Sequence, residues 1–487
     1  MTSQPPNIHR WRAFSLLAVA AFMTVMDLTI VNTALPTIGR KLHFSQTSLL
    51  WVVTAYELAY GGFLLLGGRA ADLLGRRRVI IAGLAVFTAA SLGASLAGSG
   101  PVLIAMRATQ GLGAAMFLPA ALSTVRNMFA EGAERNKALG IWGALAALGA
   151  TAGLVFGGLL TRFAGWQYIF WLNVPVGTLA LLLMRRVVPE TRSETSRRRY
   201  DPLGAVTVTS ALVLLAYAIA QAPRVGWGAG RTIAELAIGV ALLVAFLVIE
   251  SRGEAPLMPL RIFRLQTLAG ANAVGFLLGA SFYAFIFIGT LYMQQVLGYS
   301  ALQSGFAWAA SGVASMLFAG LSQMLVTKVS AKLVMAFGMT VLAIGIFWTA
   351  QAPVHGHYMA DLFGPFLVGV GMGTAFTFIP IQIAALAGVA ENEAGLASGL
   401  IYTTQELGGA LGIAIASTIA ASHYTTLLHG GSTVHAALTG GFHSALWVCG
   451  GIAVLAIPVT FLLIRKDEIA AAVAATTLRE PQPEPAT

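Results

Sequence analysis

Apolar stretches of about twenty residues follow one another along the chain, separated by short polar connections, and about twenty apolar residues are what a helix needs to cross a bilayer. The pattern predicts fourteen helices, near residues 13–35, 49–68, 79–97, 101–122, 138–160, 166–184, 203–221, 232–250, 268–293, 303–326, 333–351, 358–380, 396–420 and 443–464. Four connections are longer, at 185–202, 251–267, 381–395 and 422–442, and none is long enough for a separate soluble domain. The expected class is an all-α polytopic membrane protein.

Composition sharpens this. Of 487 residues, 57% are hydrophobic and only 10% charged, with a mean hydropathy of +0.79, whereas a soluble domain carries about 25% charged residues. That balance excludes a soluble enzyme, a DNA-binding module and a disordered scaffold. Cys449 is the only cysteine, so no intramolecular disulfide or cysteine metal cluster can form. Arg10 and Arg12 precede an apolar run that reaches Leu35 and contains Asp27; it is too long for a signal-peptide core, and no cleaved leader is expected.

The net charge of +10 would suggest a nucleic-acid partner in a soluble chain, but here the charge sorts by side of the membrane. One set of connections, with both termini, carries 23 Lys and Arg residues; the other set carries 5, namely Arg40, Lys41, Arg162, Arg224 and Arg231. Basic residues collect on the cytoplasmic side, so both termini are expected there. The loop at 381–395 dissents, with Glu391 and Glu393 and no basic residue. Arginine outnumbers lysine 24 to 5, a bias that points to a GC-rich bacterial genome, and a bacterial plasma membrane is the expected location.

The chain also repeats itself. Gly140, Gly149 and Gly153 in the fifth predicted helix recur with the same spacing as Gly399, Gly408 and Gly412 in the thirteenth, and Gly111 and Gly113 recur near Gly369 and Gly371. An offset of about 259 residues pairs helices 1–6 with helices 9–14. The expected organisation is a six-helix half at 1–184, a basic loop with two inserted helices at 185–267, a second half at 268–464, and a tail at 465–487. Two parallel halves around a midplane site are a transporter architecture, although glycine is common enough in this chain to repeat by chance.

No Gly-Lys dipeptide is present, so there is no Walker A loop for ATP. No cofactor is expected, and an ion gradient is the candidate energy source. Asp27, Glu57, Arg107 and Glu406 sit well inside predicted spans. Burying such a group at a helix centre costs about 2.5–3.5 kcal/mol on insertion scales, which makes a functional reading the default. Asp27, Glu57 and Arg107 fall at similar depth, about 9–12 Å below the outer surface at 1.5 Å per residue, and are expected to form one cluster. Two carboxylates against one guanidinium leave a negative charge in excess, which favours one exchangeable proton. The other reading is that Asp27 only bonds helix to helix and that the two glutamates only make a cavity polar.

These residues stand in motifs that identify a family. Met26 through Pro36, Gly68-Arg69-Ala70-Ala71-Asp72-Leu73-Leu74-Gly75-Arg76-Arg77-Arg78, Arg107 through Gly113, Trp166 through Gly177 with Asn173-Val174-Pro175, and Leu407 through Gly412 together resemble the 14-spanning drug:proton antiporters (EmrB/QacA-like) of the major facilitator superfamily. The resemblance covers nearly the whole length. It implies a proton-coupled exporter of amphipathic, cationic or aromatic drugs, and not an enzyme, with Arg107 tied to proton transfer and Gly68, Asp72, Gly75, Arg76, Arg77 and Arg78 forming a cytoplasmic gate. Gly140, Gly149, Gly153, Gly157 and Gly158 fit its antiporter motif, although Leu154 stands where that motif has proline. Asn32, Phe276, Phe282, Tyr283, Phe285, Phe363, Phe376 and Tyr402 are candidates to line the cavity. Small molecules, protons and the bilayer are the expected partners, and a functional monomer is expected. A narrow exporter or symporter of one metabolite, such as a self-made antibiotic or siderophore, is the nearer alternative; a passive channel is the more distant one.

Overall fold

The computed structural model describes residues 7–129, 133–188, 190, 201–253, 256, 260–354, 356–389 and 394–465. Its regular elements are helical throughout: α1 (Asn7–Lys41), α2 (Trp51–Leu74), α3 (Arg76–Ser95), α4 (Gly100–Met128), α5 (Ala133–Phe163), α6 (Tyr168–Val187), α7 (Pro202–Val225) and α8 (Gly230–Arg252). The second part of the chain supplies α9 (Gln266–Gln295), α10 (Ala301–Lys328), α11 (Ala331–Thr349), α12 (Tyr358–Leu386), α13 (Ala394–His429) and α14 (Val434–Leu463). Helices are what such a sequence must form, because lipid offers no partner for a backbone N–H or C=O that the segment leaves unpaired. Among the described residues, twelve of these helices are long and apolar enough to cross a membrane. In the 24-residue α2 the apolar run is diluted by Thr54, Tyr56, Glu57, Tyr60 and four glycines. In α5 the apolar piece among the described residues is Leu148–Phe163.

Several helices outrun their apolar runs, because hydropathy marks only the hydrocarbon layer while the helix continues into the headgroup region. The connection expected at 422–442 is therefore corrected: α13 persists to His429, α14 begins at Val434, and the break is confined to Gly430–Thr433, where Gly431 takes a φ of 86°. Helix α12 opens as π-helix over Tyr358–Leu362 and Pro365–Met372 before becoming α-helical at Gly373–Leu386.

Close packing follows the glycine repeat. On α5, a Cβ at Gly153 would strike the Met26 carbonyl of α1, and one at Gly157 would fall on the Ile30 carbonyl. On α13, Gly408 and Gly412 meet the Phe276 and Ala280 carbonyls of α9 in the same way. Gly111 and Gly113 of α4 abut α2 and α3, while Gly371 and Gly369 of α12 abut α10 and α11. Small residues at such positions let helix backbones approach closely. Between the two sets, α5 meets α10, where Gly158 lies on Ala301 and Gly305 on the Leu154 carbonyl, and α2 meets α13. Helix α7 lies across the α2–α13 seam: Leu58, Leu212, Ala216, Leu407, Ala410 and Ala414 form one apolar cluster, and the Thr418 hydroxyl donates to the Ile219 carbonyl at 3.1 Å.

Gly157→Val should force α1 and α5 apart. Overpacking a tight contact costs roughly 1–3 kcal/mol, so the purified variant is expected to melt at a lower temperature than the parent. An unchanged melting temperature would show that this contact is not a tight one in the membrane protein.

Candidate functional site

The N-terminal helices meet around one buried ion pair. Asp27 of α1 and Arg107 of α4 are both fully buried. Arg107 Nη1 donates to Asp27 Oδ2 at 2.5 Å and to Gln110 Oε1 at 3.1 Å, and Arg107 Nε donates to the Val52 carbonyl of α2 at 2.9 Å. Asp27 Oδ1 accepts from Asn173 Nδ2 of α6 at 2.6 Å and from Gln110 Nε2 at 3.3 Å. The Ser91 hydroxyl of α3 accepts from Gln110 Nε2 at 2.8 Å and itself donates to the Phe87 carbonyl. The guanidinium also lies 4.4 Å over the Tyr56 ring and 5.7 Å from that of Phe170. Two charges can persist out of water only when such further bonds satisfy them, and here five helices contribute. Arg107 Nη2 has no hydrogen-bond partner among the described residues.

Glu57, expected in the same cluster, makes no hydrogen bond or ion pair with either partner among the described residues. It is buried on α2 with Oε2 unpartnered among the described residues, and it borders a small cavity shared with Leu28, Thr29 and Asn32 of α1 and with Tyr283 and Ile286 of α9. The Tyr283 hydroxyl donates to Glu406 Oε1 at 3.2 Å, while Glu406 Oε2 is likewise unpartnered among the described residues. A Cβ at Gly61, one turn beyond Glu57, would lie 3.1 Å from the Glu406 Cβ. Two acids from opposite sets of helices thus share an apolar layer with one tyrosine between them. Helix α1 is the common wall: Asp27 points into the N-terminal bundle, while its neighbours Leu28 and Thr29 border the cavity, the Thr29 hydroxyl donating to the Ala150 carbonyl of α5 at 2.8 Å.

Of the other candidates, Asn32 and Tyr283 line this cavity. Phe285 instead packs edge-on against Trp308 and Phe366, and Phe376 against Phe318 and Phe337, so both serve the core of the C-terminal helices. Phe276 joins the cluster at the α2–α7–α13 seam, Phe282 packs on Phe378, and Phe363 meets Tyr358. Tyr402 is 42% exposed on α13. Leu154 is buried in α5, which has no internal proline, and Gly149 faces Phe22 and Val25. The surroundings of Gly140 and the side chain of Asp72 lie outside what the structure describes, as do Arg192, Arg197, Arg198, Arg199, His355, Glu391, Glu393 and all of the tail beyond Arg465.

At the gate motif, Gly75 joins α2 to α3 with a φ of 104°, a conformation suited to glycine. Arg76, Arg77 and Arg78 then open α3, where the helix dipole disfavours positive charge. Glu190 offsets this: its Oε1 accepts the Arg77 backbone N–H at 3.2 Å, and its Oε2 lies 3.6 and 3.9 Å from the Arg77 and Arg78 guanidinia. An acid from beyond α6 thus joins the gate motif through its basic run. Glu190, Ser91 and Tyr56 were not singled out from sequence, and Gln110 and Asn173 stood there only as members of family motifs with no role assigned. An uncharged polar residue inside an apolar span was the available signal for Gln110, Asn173 and Ser91.

Membrane-crossing helices packed around an interior layer of charged and polar side chains are an arrangement suited to a membrane transporter. The chain belongs to the Major Facilitator Superfamily, whose family description matches residues 17–413. It is 40% identical to the cephamycin export protein of Amycolatopsis lactamdurans over 415 residues, covering 84% of this chain and 85% of that one. It is 36% identical to the puromycin resistance protein of Streptomyces alboniger, covering 95% and 92%. Among solved structures it resembles the POT family transporter PepTSo, with a TM-score of 0.68 at 15% identity over 96% of this chain and 99% of that one, a likeness of fold. The protein is therefore a multi-pass membrane transporter of small molecules.

Glu190→Gln should loosen the N-terminus of α3 while leaving the buried pair intact. Exposed ion pairs contribute about 0–1 kcal/mol, so the expected effect is turnover reduced a few-fold with substrate affinity nearly unchanged. Lost affinity at unchanged turnover would assign Glu190 to binding instead of to the gate.

Proposed function

We propose that the protein is a proton-coupled exporter of amphipathic, cationic or aromatic compounds, working as a monomer by antiport and alternating access in the bacterial plasma membrane. On this reading fourteen helices cross the bilayer with both termini in the cytoplasm. Helices α1–α6 and α9–α14 act as two halves and α7–α8 as an inserted pair. The basic-residue asymmetry supports the orientation, and two relatives named for antibiotic export or resistance support the direction.

The observation that carries the reading is the Asp27–Arg107 pair standing one residue from a cavity bordered by Glu57 and by Tyr283, whose hydroxyl donates to Glu406. Protonating Asp27 removes the charge that holds Arg107 and changes the bonding of α4 and α6 to α1. Because Leu28, Thr29 and Asn32 belong to the same helix, the cavity wall moves with that change. A cationic substrate drawn to Glu57 and Glu406 and a proton on Asp27 then favour different positions of one helix, which is the differential affinity that coupling requires. The driving force is sufficient: about 2.3 kcal/mol per charge per 100 mV and about 1.36 kcal/mol per pH unit sustain roughly a hundredfold gradient per proton. A narrow exporter of one metabolite is the second reading, favoured by relatives each named for a single compound.

Accumulation of a panel of dyes and drugs in cells expressing the protein, with and without an uncoupler, tests export directly. Lower accumulation that the uncoupler reverses is expected; Asp27→Asn should abolish it. That variant leaves Arg107 buried without its counter-charge, which costs about 3–5 kcal/mol, so Asp27→Asn combined with Arg107→Gln should recover stability without recovering efflux. Efflux at the parental level from either variant, at equal expression, would rule out Asp27 as the coupling group.

Charge selection separates the other two acids. Glu406→Gln should weaken export of dicationic compounds more than monocationic ones and spare neutral ones, because it removes one attraction in a poorly screened medium. Glu57→Gln, on the wall that also holds Arg107 through Val52, should reduce all three classes. Equal losses across the panel for Glu406→Gln would deny it any role in selecting charge.

A further inference from the structure

We propose that the groove between the terminal-side ends of α1 and α6 binds an anionic phospholipid of the cytoplasmic leaflet, with its acyl chains along the helices and its headgroup on Arg12. The groove, about 790 Å³, lies outside the transport pathway described above. Its walls are Trp11, Leu16 and Val19 on α1 and Leu179, Leu183 and Val187 on α6. Val19 and Leu179 are more than half exposed, so a substantial apolar surface awaits an occupant. The hydroxyl of Ser15, which also borders the groove, donates to the Trp11 carbonyl at 2.9 Å and asks nothing polar of that occupant.

Depth and charge specify the ligand. From Trp11 to Val19, and from Val187 back to Leu179, the helix rise gives about 12 Å, close to half of a hydrocarbon core of about 30 Å. The groove therefore spans one leaflet. All of its charge stands at the mouth. Arg12 lines the groove there, Arg185 and Arg186 are exposed in the last turn of α6, and Lys137 lies 5.6 Å from the Trp11 ring. Arg12, Arg185 and Arg186 form no ion pair among the described residues. A zwitterionic lipid would fill the slot but bring its own headgroup cation to a mouth already ringed by Arg12, Arg185, Arg186 and Lys137, and a soluble anion would engage the guanidinium without filling the slot. An anionic phospholipid does both, and the inner-leaflet surface potential enriches basic segments near it. Trp11 sits at the level where aromatic side chains anchor helices to the interface.

The site has a consequence for transport. About 12 Å beyond Val19 on α1 lies Asp27, which accepts from Asn173 of the same α6. An occupant of the groove braces the two helices that clasp the coupling carboxylate.

The test uses the full chain in phosphatidylcholine nanodiscs containing a small, equal mole fraction of either brominated phosphatidylglycerol or brominated phosphatidylcholine. Bromine on the acyl chain quenches nearby tryptophan, and the Trp11 contribution is the difference between the parent and Trp11→Phe. Several-fold stronger quenching of Trp11 by the phosphatidylglycerol probe is expected, with the preference lost in Arg12→Glu and reduced in Arg12→Gln. A melting curve for each variant confirms folding; if Arg12→Glu does not fold, Arg12→Gln carries the comparison. Equal quenching by both probes in the parent overturns the proposal, and so does a preference that survives unchanged when Arg12 is replaced.

Discussion

The interior of the N-terminal helices is organised by one requirement: a carboxylate and a guanidinium have been placed where water cannot reach them. Isolated ions of this kind are intolerable in hydrocarbon, so the surrounding sequence is constrained to supply donors and acceptors. Gln110 lies one helical turn from Arg107 and bonds both partners; Asn173 opens the long part of α6 and reaches the other carboxylate oxygen. Val52 gives a carbonyl, and Tyr56 gives a ring face. Each of these groups fixes the rotation of its own helix about its axis. A bundle of apolar helices has little else to do so, because lipid tails and leucines are equally apolar and no hydrophobic force selects one face.

The second constraint is steric. Gly153 and Gly157 seat α5 on α1, and Gly408 and Gly412 seat α13 on α9, at distances that exclude a Cβ. These contacts hold α1 firmly to its own set of helices while its other face meets α9 across the small cavity. The Asn32 amide and the Thr33 carbonyl lie on that crossing, and Gln294 Nε2 donates to the Thr33 carbonyl at 2.8 Å. Helix α1 is thereby a rigid element with two chemically distinct faces. One is fastened by charge and the other meets the layer of Glu57, Tyr283 and Glu406.

How far the sequence disclosed this differs from feature to feature. The helices were legible because lipid imposes a single secondary structure on an apolar run, and only their ends were misplaced, as at Gly430–Thr433, where helix continues through polar residues outside the hydrocarbon. Asp27 and Arg107 were legible as a pair because charge inside a span is rare and depth can be counted along a helix. Depth alone does not give azimuth, which is why Glu57 was grouped with them although it faces the other way. The aromatic candidates divide for the same reason: Tyr283 borders the cavity, whereas Phe285 on the same helix packs into the core. Glu190 was illegible because its partners Arg77 and Arg78 lie more than a hundred residues away.

In the proposed mechanism the charge on Asp27 sets the position of α1 and with it the access state. A spin-label distance measurement addresses this without any substrate. Labels at the exposed positions Arg40 and His435, in a Cys449→Ala background, report the separation of the two sets of helices on the side opposite the termini. This distance distribution is expected to shift between acidic and alkaline buffer in the parent and to be fixed in Asp27→Asn. A distribution that responds to pH equally in both proteins would contradict it.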